Sequence, residues 1–465
     1  MNQVRSPQSL DTPARDESLR RAVAGATDTR RVVLGRDALD QVADCFVSCV
    51  TADQARPNVR DAVDAVVVAD ETTYEVAGRA VERVLRAAGR QVRSPHVFPA
   101  SPRLHADFDH ALWLRDQLSA HDAVPIAVGA GTINDLTKLA SHMAGRPYAV
   151  VATAASMDGY AAFGAAITHH GVKQTMSCPA PRAVVADTNI LAAAPREMTA
   201  SGFGDLLGKI TAGADWIVAD VLGIESIAPD IWATVQPAVR EAIAAPERLR
   251  TGEAAAVESL FLCLTMSGLA MQAARSSRPA SGAEHQLSHL WEMRGLLVQG
   301  REISHGFKVG VGTTLVAEIY DHLLRIDLTA LDVDALCRQW PSLEEWETEV
   351  RATQGEPALC EQALAEVRAK YVTLEQLRLR LTRLTQVWPA LSERLRRQLL
   401  PASEIRRLLQ AAGCPSEPAM LGLSPEEVRE ALNAARQIRR RYTILDLAAE
   451  TGVLRRHLAG VLVPA

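Results

Sequence analysis

A surplus of positive charge is missing from this chain of 465 residues: 50 Lys and Arg stand against 55 Asp and Glu, giving a formal net charge of −5 and a pI near 6.2. No global basic field draws it to nucleic acid or an anionic membrane, so any anionic ligand has to be met by local cations. Lysine is scarcer still. Only Lys138, Lys173, Lys209, Lys308 and Lys370 break an otherwise arginine-based set. Lys138, Lys209 and Lys308 lie inside the motifs described below, where a compact ammonium is needed and a planar fork does not fit.

Strongly apolar runs are also lacking. Met1–Arg21 is polar and charged with no apolar stretch after a basic start, so these residues are not expected to act as a secretory signal. A membrane-spanning helix needs about 20 strongly apolar residues. The nearest approach, residues 147–168, has Asp158 as its only charge but consists mainly of Ala, Gly, Ser and Thr, so membrane insertion is not expected. The cysteines (Cys45, Cys49, Cys178, Cys263, Cys337, Cys360 and Cys414) form no CxxC pair. An odd, scattered set reads as buried or free thiols of a cytoplasmic chain, not as a disulfide framework or a zinc knuckle.

What is present is ordinary globular material, 48% hydrophobic and 23% charged, in a length that fits two or three domains of about 100–200 residues. Up to about Asp187 short β-type runs alternate with helical segments. Strands are expected at 31–35, 65–69, 92–98, 125–128 and 148–152, with apolar pieces near Ala165 and at 183–186. Helices are expected at 39–50, 73–88, 105–118 and 133–142. This alternation implies βαβ units and a mostly parallel sheet. Beyond Asn189 strand-like runs vanish and helical spacing takes over, as at 254–273, 361–383 and 425–441, with Ser424 as an N-cap ahead of Pro425. The expected organisation is a polar extension (1–29), an α/β domain (30–189) and a helical domain (190–465), with a ligand cleft between the last two.

Four constellations carry chemistry. In Val128-Gly129-Ala130-Gly131-Thr132-Ile133-Asn134-Asp135-Leu136-Thr137-Lys138 a strand enters a glycine turn and a helix leaves it. Backbone N–H groups aimed at one point bind phosphate; the alternative is a plain strand-to-helix turn. Asp70 follows the strand 65–69 and is placed either to accept bonds from an adenosine ribose or to cap the next helix. Thr153-Ala154-Ala155-Ser156-Met157-Asp158 follows the strand 148–152, and Asp158 is either a loop cap or an acid lining a substrate cleft, since an unpaired buried carboxylate is costly. The fourth set is dispersed: Asp205 in SGFGDLLGK, His285 and His289 in SGAEHQLSH, and His305 in SHG. His285 and His289, four apart, share a helix face. One carboxylate and two or three imidazoles suit zinc, nickel or ferrous iron, although a histidine taken singly is more often a surface or satisfied core residue. The glycines beside Asp205 and His305 permit close approach to a ligand. His169-His170, beside an expected hairpin, and the arginine runs 394–397 and 439–441 read as solvated surface.

In this order, the motifs resemble the sn-glycerol-1-phosphate dehydrogenases, a branch of the group that also holds glycerol dehydrogenase, iron-dependent alcohol dehydrogenases and dehydroquinate synthase. GAGTINDLTK is the most discriminating piece, supported by SGFGDLLGK, SRPASGAEHQLSH and SHGFKVGVGT, and the long helical tail resembles the bacterial members. The resemblance implies a dehydroquinate synthase-like fold: an α/β Rossmann-like dinucleotide-binding domain followed by an all-α metal- and substrate-binding domain. It implies NAD(P)H and one divalent metal, Zn²⁺ or Ni²⁺, per chain, a cytoplasmic homo-oligomer, most simply a dimer, and reversible reduction of dihydroxyacetone phosphate to sn-glycerol 1-phosphate. Asp70 would hold the ribose, and Gly131, Thr132, Ile133, Asn134 and Asp135 the pyrophosphate. Thr153, Ala154, Ala155 and Ser156 would line the nicotinamide side. Asp205, His285 and His305 would be the metal ligands, with Asp158, Asp205 and His289 touching substrate and His289 taking part in proton transfer. Lys209, Lys308, Lys138 and Arg278 are candidate cations for the substrate phosphate. Ala162 stands where many members carry a cofactor-contacting Ser, so one hydrogen bond is expected to be missing. Alternatives are a polyol dehydrogenase acting on an unphosphorylated substrate, a cyclase of the dehydroquinate synthase type, and a non-catalytic nucleotide-binding relative.

Overall fold

The computed structural model describes residues 12–51, 63–170, 172–355 and 357–460. The first eleven residues of the expected polar extension lie outside these. Its remainder is not a tail: α1 (Thr12–Gly25) is helical, and Thr29 is buried, its N–H and Oγ1 bonded to Gln272 Oε1 (3.1 Å) and Pro181 O (2.7 Å). Contacts group the chain into two compact units, one of residues 1–206 with 233–277 and the other of 207–232 with 278–465.

In the first unit, runs of Val and Ala become β1 (Arg31–Gly35), β2 (Ala65–Asp70), β3 (His96–Phe98), β4 (Val124–Gly129), β5 (Ala149–Ala152) and β8 (Ala183–Asp187), in an all-parallel sheet of order β1-β8-β5-β4-β2-β3. Strands buried on both faces need continuous apolar runs, which AVVVA and VPIAV supply. α2 (Val42–Thr51) and α3 (Arg79–Ala87) cover one face through Phe46, Val81 and Leu85. α4 (Phe108–Ser119) and α5 (Gly131–Met143) pack on each other, and α5 lies against β4. β6 (Ala165–His169) and β7 (Val172–Met176) pair as a hairpin, with His170 exposed at its turn and the His169 ring against Phe108. α6 (Arg196–Val221) starts in this unit and runs unbroken into the other, and α7 (Ala254–Ala274) returns to the first. By length and composition α7, not 147–168, is the described segment apolar enough to cross a membrane, but 72% of its apolar 18-residue stretch is buried within the structure.

The second unit is helical around α8 (Ala283–Met293) and α9 (His305–Leu323). Three sequence expectations are corrected here. The stretch 361–383 is two helices, α10 (Pro357–Lys370) and α11 (Leu374–Gln398), because Thr373 and Gln376 close a capping box that restarts the chain. α12 (Pro425–Ala435) has the expected Ser424 cap but ends before Arg436. From there the backbone lies against the loop preceding α8: Tyr442 O accepts Arg278 Nη1 at 2.9 Å and Arg441 Nη1 donates to Ser281 O at 2.7 Å. Arg441 is therefore no surface cation; burial pushes its pKa down to about 10. Finally, strand pairing does recur beyond Asn189, in a two-residue hairpin of β9 (Leu297–Val298) and β10 (Arg301–Glu302). Gln299 and Gly300, both at positive φ, form its turn. None of the seven cysteines, all among the described residues, is in a disulfide, and burial raises Cys45, Cys49, Cys178 and Cys263 to about 11 or 12.

Candidate active site

Asp70 and Gly129 are the last residues of β2 and β4, and β5 ends at Ala152 beside them. β2 pairs with β3 on one side and β4 on the other, so the winding of the sheet reverses between β2 and β4. In open α/β sheets the crevice outside the carboxyl ends at such a reversal is where nucleotides bind. Asp70 is also a cap: its Oδ1 accepts Thr73 N–H at 2.8 Å and its own N–H reaches Thr73 Oγ1 at 3.1 Å. A Cβ on Gly129 would lie 2.6 Å from Ile133 Cβ, so this glycine is required by the turn itself, whereas Ala130 is tolerated as the N-cap of α5. The side chains of Ile133, Asn134 and Asp135 face inward. Ile133 is buried, Asn134 Oδ1 accepts Tyr148 OH at 3.1 Å, and Asp135 Oδ2 accepts Ala166 N–H at 3.3 Å, burial raising its pKa. What this turn presents at the sheet edge is the backbone N–H groups of Gly131, Thr132 and Ile133, since Asn134 N–H is already bonded to Ala130 O at 3.0 Å.

Lys138 is corrected as a phosphate candidate. It is buried, and its Nζ donates to the carbonyls of Gly159 (3.0 Å), Ala162 (2.9 Å) and Gly164 (3.0 Å). The ammonium closes the loop after Asp158 from beneath, and Ala162 contributes through its carbonyl. Arg278 is likewise buried and bonded to Tyr442 O and Asp215 O. Lys209 is fully buried, and Lys308 is paired with Glu292 at 3.0 Å.

Thr153–Ser156 runs on from β5, Thr153 N–H still bonded to Gly129 O (3.2 Å), with Ala154 O accepting Tyr160 OH (2.7 Å) and Ser156 O accepting Ser201 Oγ (3.2 Å). A Cβ on Gly202 would fall 2.0 Å from Ala155 O, so that glycine serves α6 packing, not approach of a ligand as the sequence suggested. Asp158 is half-buried; its Oδ2 accepts Ser267 Oγ at 3.1 Å, and its N–H donates to Oδ2 of the fully buried Asp205 at 3.0 Å.

In the second unit three imidazoles converge. Ring centroids are 5.4 Å apart for His285 and His305, 5.6 Å for His289 and His305, and 6.1 Å for His285 and His289. A buried glutamate stands behind two of them. Glu284 Oε1 takes His285 Nδ1 at 2.8 Å, with Gly282 N–H and Thr211 Oγ1 also bonded to this carboxylate. Burial opposes its ionisation, but those three bonds outweigh burial and hold its pKa below the usual range. Glu292 Oε1 takes His305 Nδ1 at 2.9 Å. Metal-ligating histidines characteristically donate one ring N–H to such an acceptor, so the nitrogen each would offer a cation is Nε2. Two such imidazole nitrogens are donors that suit a divalent metal. His289 is pushed down to about 4 by burial, against the pull of Glu292 at 3.4 Å. Sequence reading missed Glu284, Glu292 and Ser267. The two glutamates had a signal, a carboxylate adjacent to His285 and one helical turn after His289; Ser267, inside an apolar helix, had none.

Residues 54–195 match the family model described as iron-containing alcohol dehydrogenase. Over 380 residues the chain is 33% identical to a glycerol-1-phosphate dehydrogenase (NAD(P)+) of Halalkalibacterium halodurans, covering 82% of this chain and 84% of that one. This chain belongs to the glycerol-1-phosphate dehydrogenase family. A second family member, from Bacillus velezensis, is 39% identical over 260 residues, 56% of this chain and 66% of its own. Among solved structures, a probable glycerol dehydrogenase of Sinorhizobium meliloti superposes with a TM-score of 0.57 at 16% identity, over 93% of this chain and 98% of that one. The family's dehydroquinate synthase-like fold, a parallel α/β layer followed by helices, is the one found here.

Proposed function

We propose that this chain interconverts dihydroxyacetone phosphate and sn-glycerol 1-phosphate with NADH or NADPH and one divalent metal, Zn²⁺ or Ni²⁺. The observation that carries the reading is the cluster of three imidazoles with buried glutamates behind His285 and His305, in a chain of this family whose sheet also has a nucleotide-type edge at β2, β4 and β5. Asp70 takes the adenosine ribose, Gly131–Asp135 the pyrophosphate through the N–H groups of its first residues, and Thr153–Ser156 the nicotinamide side. Asp205, His285 and His305 hold the metal. When bound, the metal supplies Lewis-acid polarisation of the ketone and the reduced nicotinamide supplies the hydride.

The chain's own residues do the rest. Asp158, its Oδ2 steadied by Ser267, accepts a substrate hydroxyl and fixes which face of the carbonyl is presented. His289 is neutral at neutral pH, with Nδ1 against Glu292. In alcohol oxidation its Nε2 takes the hydroxyl proton while Glu292 stabilises the imidazolium; in ketone reduction the same atom returns it. Lys209 is the remaining cation assigned to the substrate. The test is NADH oxidation with dihydroxyacetone phosphate on metal-stripped protein reloaded with Zn²⁺ or Ni²⁺, with dihydroxyacetone in parallel. Metal-dependent turnover of the phosphorylated ketone alone supports the reading, and turnover of the unphosphorylated ketone replaces it with a polyol dehydrogenase.

A further inference from the structure

Glu292 does more than back one histidine. Buried near the end of α8, it is shared among three donors: Oε1 accepts His305 Nδ1 (2.9 Å) and Lys308 Nζ (3.0 Å), and Oε2 lies 3.4 Å from His289 Nδ1. Ser288 Oγ lies 3.3 Å from the same His305 nitrogen. Glu284, by contrast, serves one ring and is otherwise spent on Gly282 and Thr211. Helix periodicity explains the sharing: Glu292 follows His289 by one turn of α8, while Lys308 follows His305 by one turn of α9, so a single carboxylate spans both helices.

We propose that Glu292 is the positioning residue of this cluster, joining the metal ligand His305 to His289, with its carboxylate oriented by Lys308. The inference rests on the metal reading above. Ligand-capable atoms of His289, Glu292 and His305 lie within 4.8 Å of one another, so proximity alone would also allow Glu292 to be a ligand. The contacts decide against that. Oε1 already receives an imidazole N–H and an ammonium, and a cation placed there would have to displace the ammonium charge. Glu292 therefore acts through His305, by fixing the ring so that Nε2 is the ligating atom, and it acts on His289 through the same group.

The experiment uses the full-length protein, stripped of metal and titrated with Zn²⁺ against a chromophoric chelator, with Co²⁺ as a spectroscopic probe. Glu292→Ala is expected to weaken Zn²⁺ binding about 10- to 100-fold and to alter the Co²⁺ ligand-field bands. Because it also removes the carboxylate paired with the buried Lys308, the double variant Glu292→Ala/Lys308→Met is made alongside it. The double is expected to recover the thermal stability of the metal-free protein while its Zn²⁺ affinity stays low and its Co²⁺ spectrum stays altered. Glu292→Gln, which keeps an acceptor for one ring, is expected to fall between wild type and Glu292→Ala. Wild-type affinity and spectrum in the double variant would overturn the proposal and make Glu292 only a counter-ion of Lys308, with the metal reading intact. Wild-type protein that binds no Zn²⁺ at all would remove the metal reading and this inference together.

Discussion

The sheet edge of the first unit and the imidazole cluster of the second are built by opposite means. The sheet edge is local and made of backbone: Gly129 to Asp135 is one stretch of chain, Asn134 and Asp135 turn their side chains inward, and the open N–H groups come from a strand-to-helix turn. The imidazole cluster is non-local and made of side chains. His285, His289 and His305 come from two helices, and Glu284 and Glu292 set the rings of His285 and His305. A backbone site tolerates side-chain change and fails by steric blockage, whereas a side-chain site fails one atom at a time.

The largest expected effect is at the side-chain site. His285→Ala, His305→Ala and Asp205→Ala should each lower kcat/KM by roughly 10³-fold, the several kcal/mol of charge stabilisation a Lewis acid provides. Assays in excess Zn²⁺ check this, and retention of full activity by Asp205→Ala would remove it from the ligand set. Next comes Lys138, which separates structure from substrate binding. Lys138→Met leaves three carbonyls without their ammonium and should cost about 3 kcal/mol in urea unfolding while the KM for dihydroxyacetone phosphate stays put; a KM rise at unchanged stability would restore it as a phosphate contact.

Asp70 is a finer test. Asp70→Ala and Thr73→Ala both break the capping box, at about 1 kcal/mol each, but only the former is expected to raise the KM for NADH, by about tenfold for one lost hydrogen-bonding group. Equal KM values would leave Asp70 as a cap alone. The smallest effect is a pH slope. Burial, with the Glu284 charge adding to it, raises Asp215 to about 7, although Tyr320 OH and the N–H groups of Ala283 and Ile444 bond to it. A carboxyl with a higher pKa folded than unfolded binds more protons in the folded state between about pH 4 and 7, so its contribution is present at low pH and is lost as pH rises through that window. In metal-free protein, the Tm of wild type relative to Asp215→Asn should fall by about 3 °C across it; parallel Tm curves would contradict the assignment.

Much of the sheet half was legible in the sequence because its signals are local. AVVVA, VPIAVG and the glycine turn encode strand, crossing and helix start within a few residues, and β1, β2, β4 and β8 fall where alternation put them. The histidines were legible too, as residue types on helical faces. Less legible were the partners. Periodicity in 361–383 and 425–441 ran past capping signals and past a segment whose carbonyls serve Arg278 and Gln286.

The sequence by itself determined the parallel α/β layer, the helical remainder, the motifs and the family, since each of these depends on spacing along the chain. Only the tertiary structure decided that Lys138 and Arg278 are bonded inward and that Asn134 and Asp135 face the core. It also decided that Glu284 and Glu292 set the imidazoles. Whether a buried charge meets a ligand or a carbonyl depends on which groups from distant parts of the chain arrive within about 3 Å of it, and no local pattern encodes that distance.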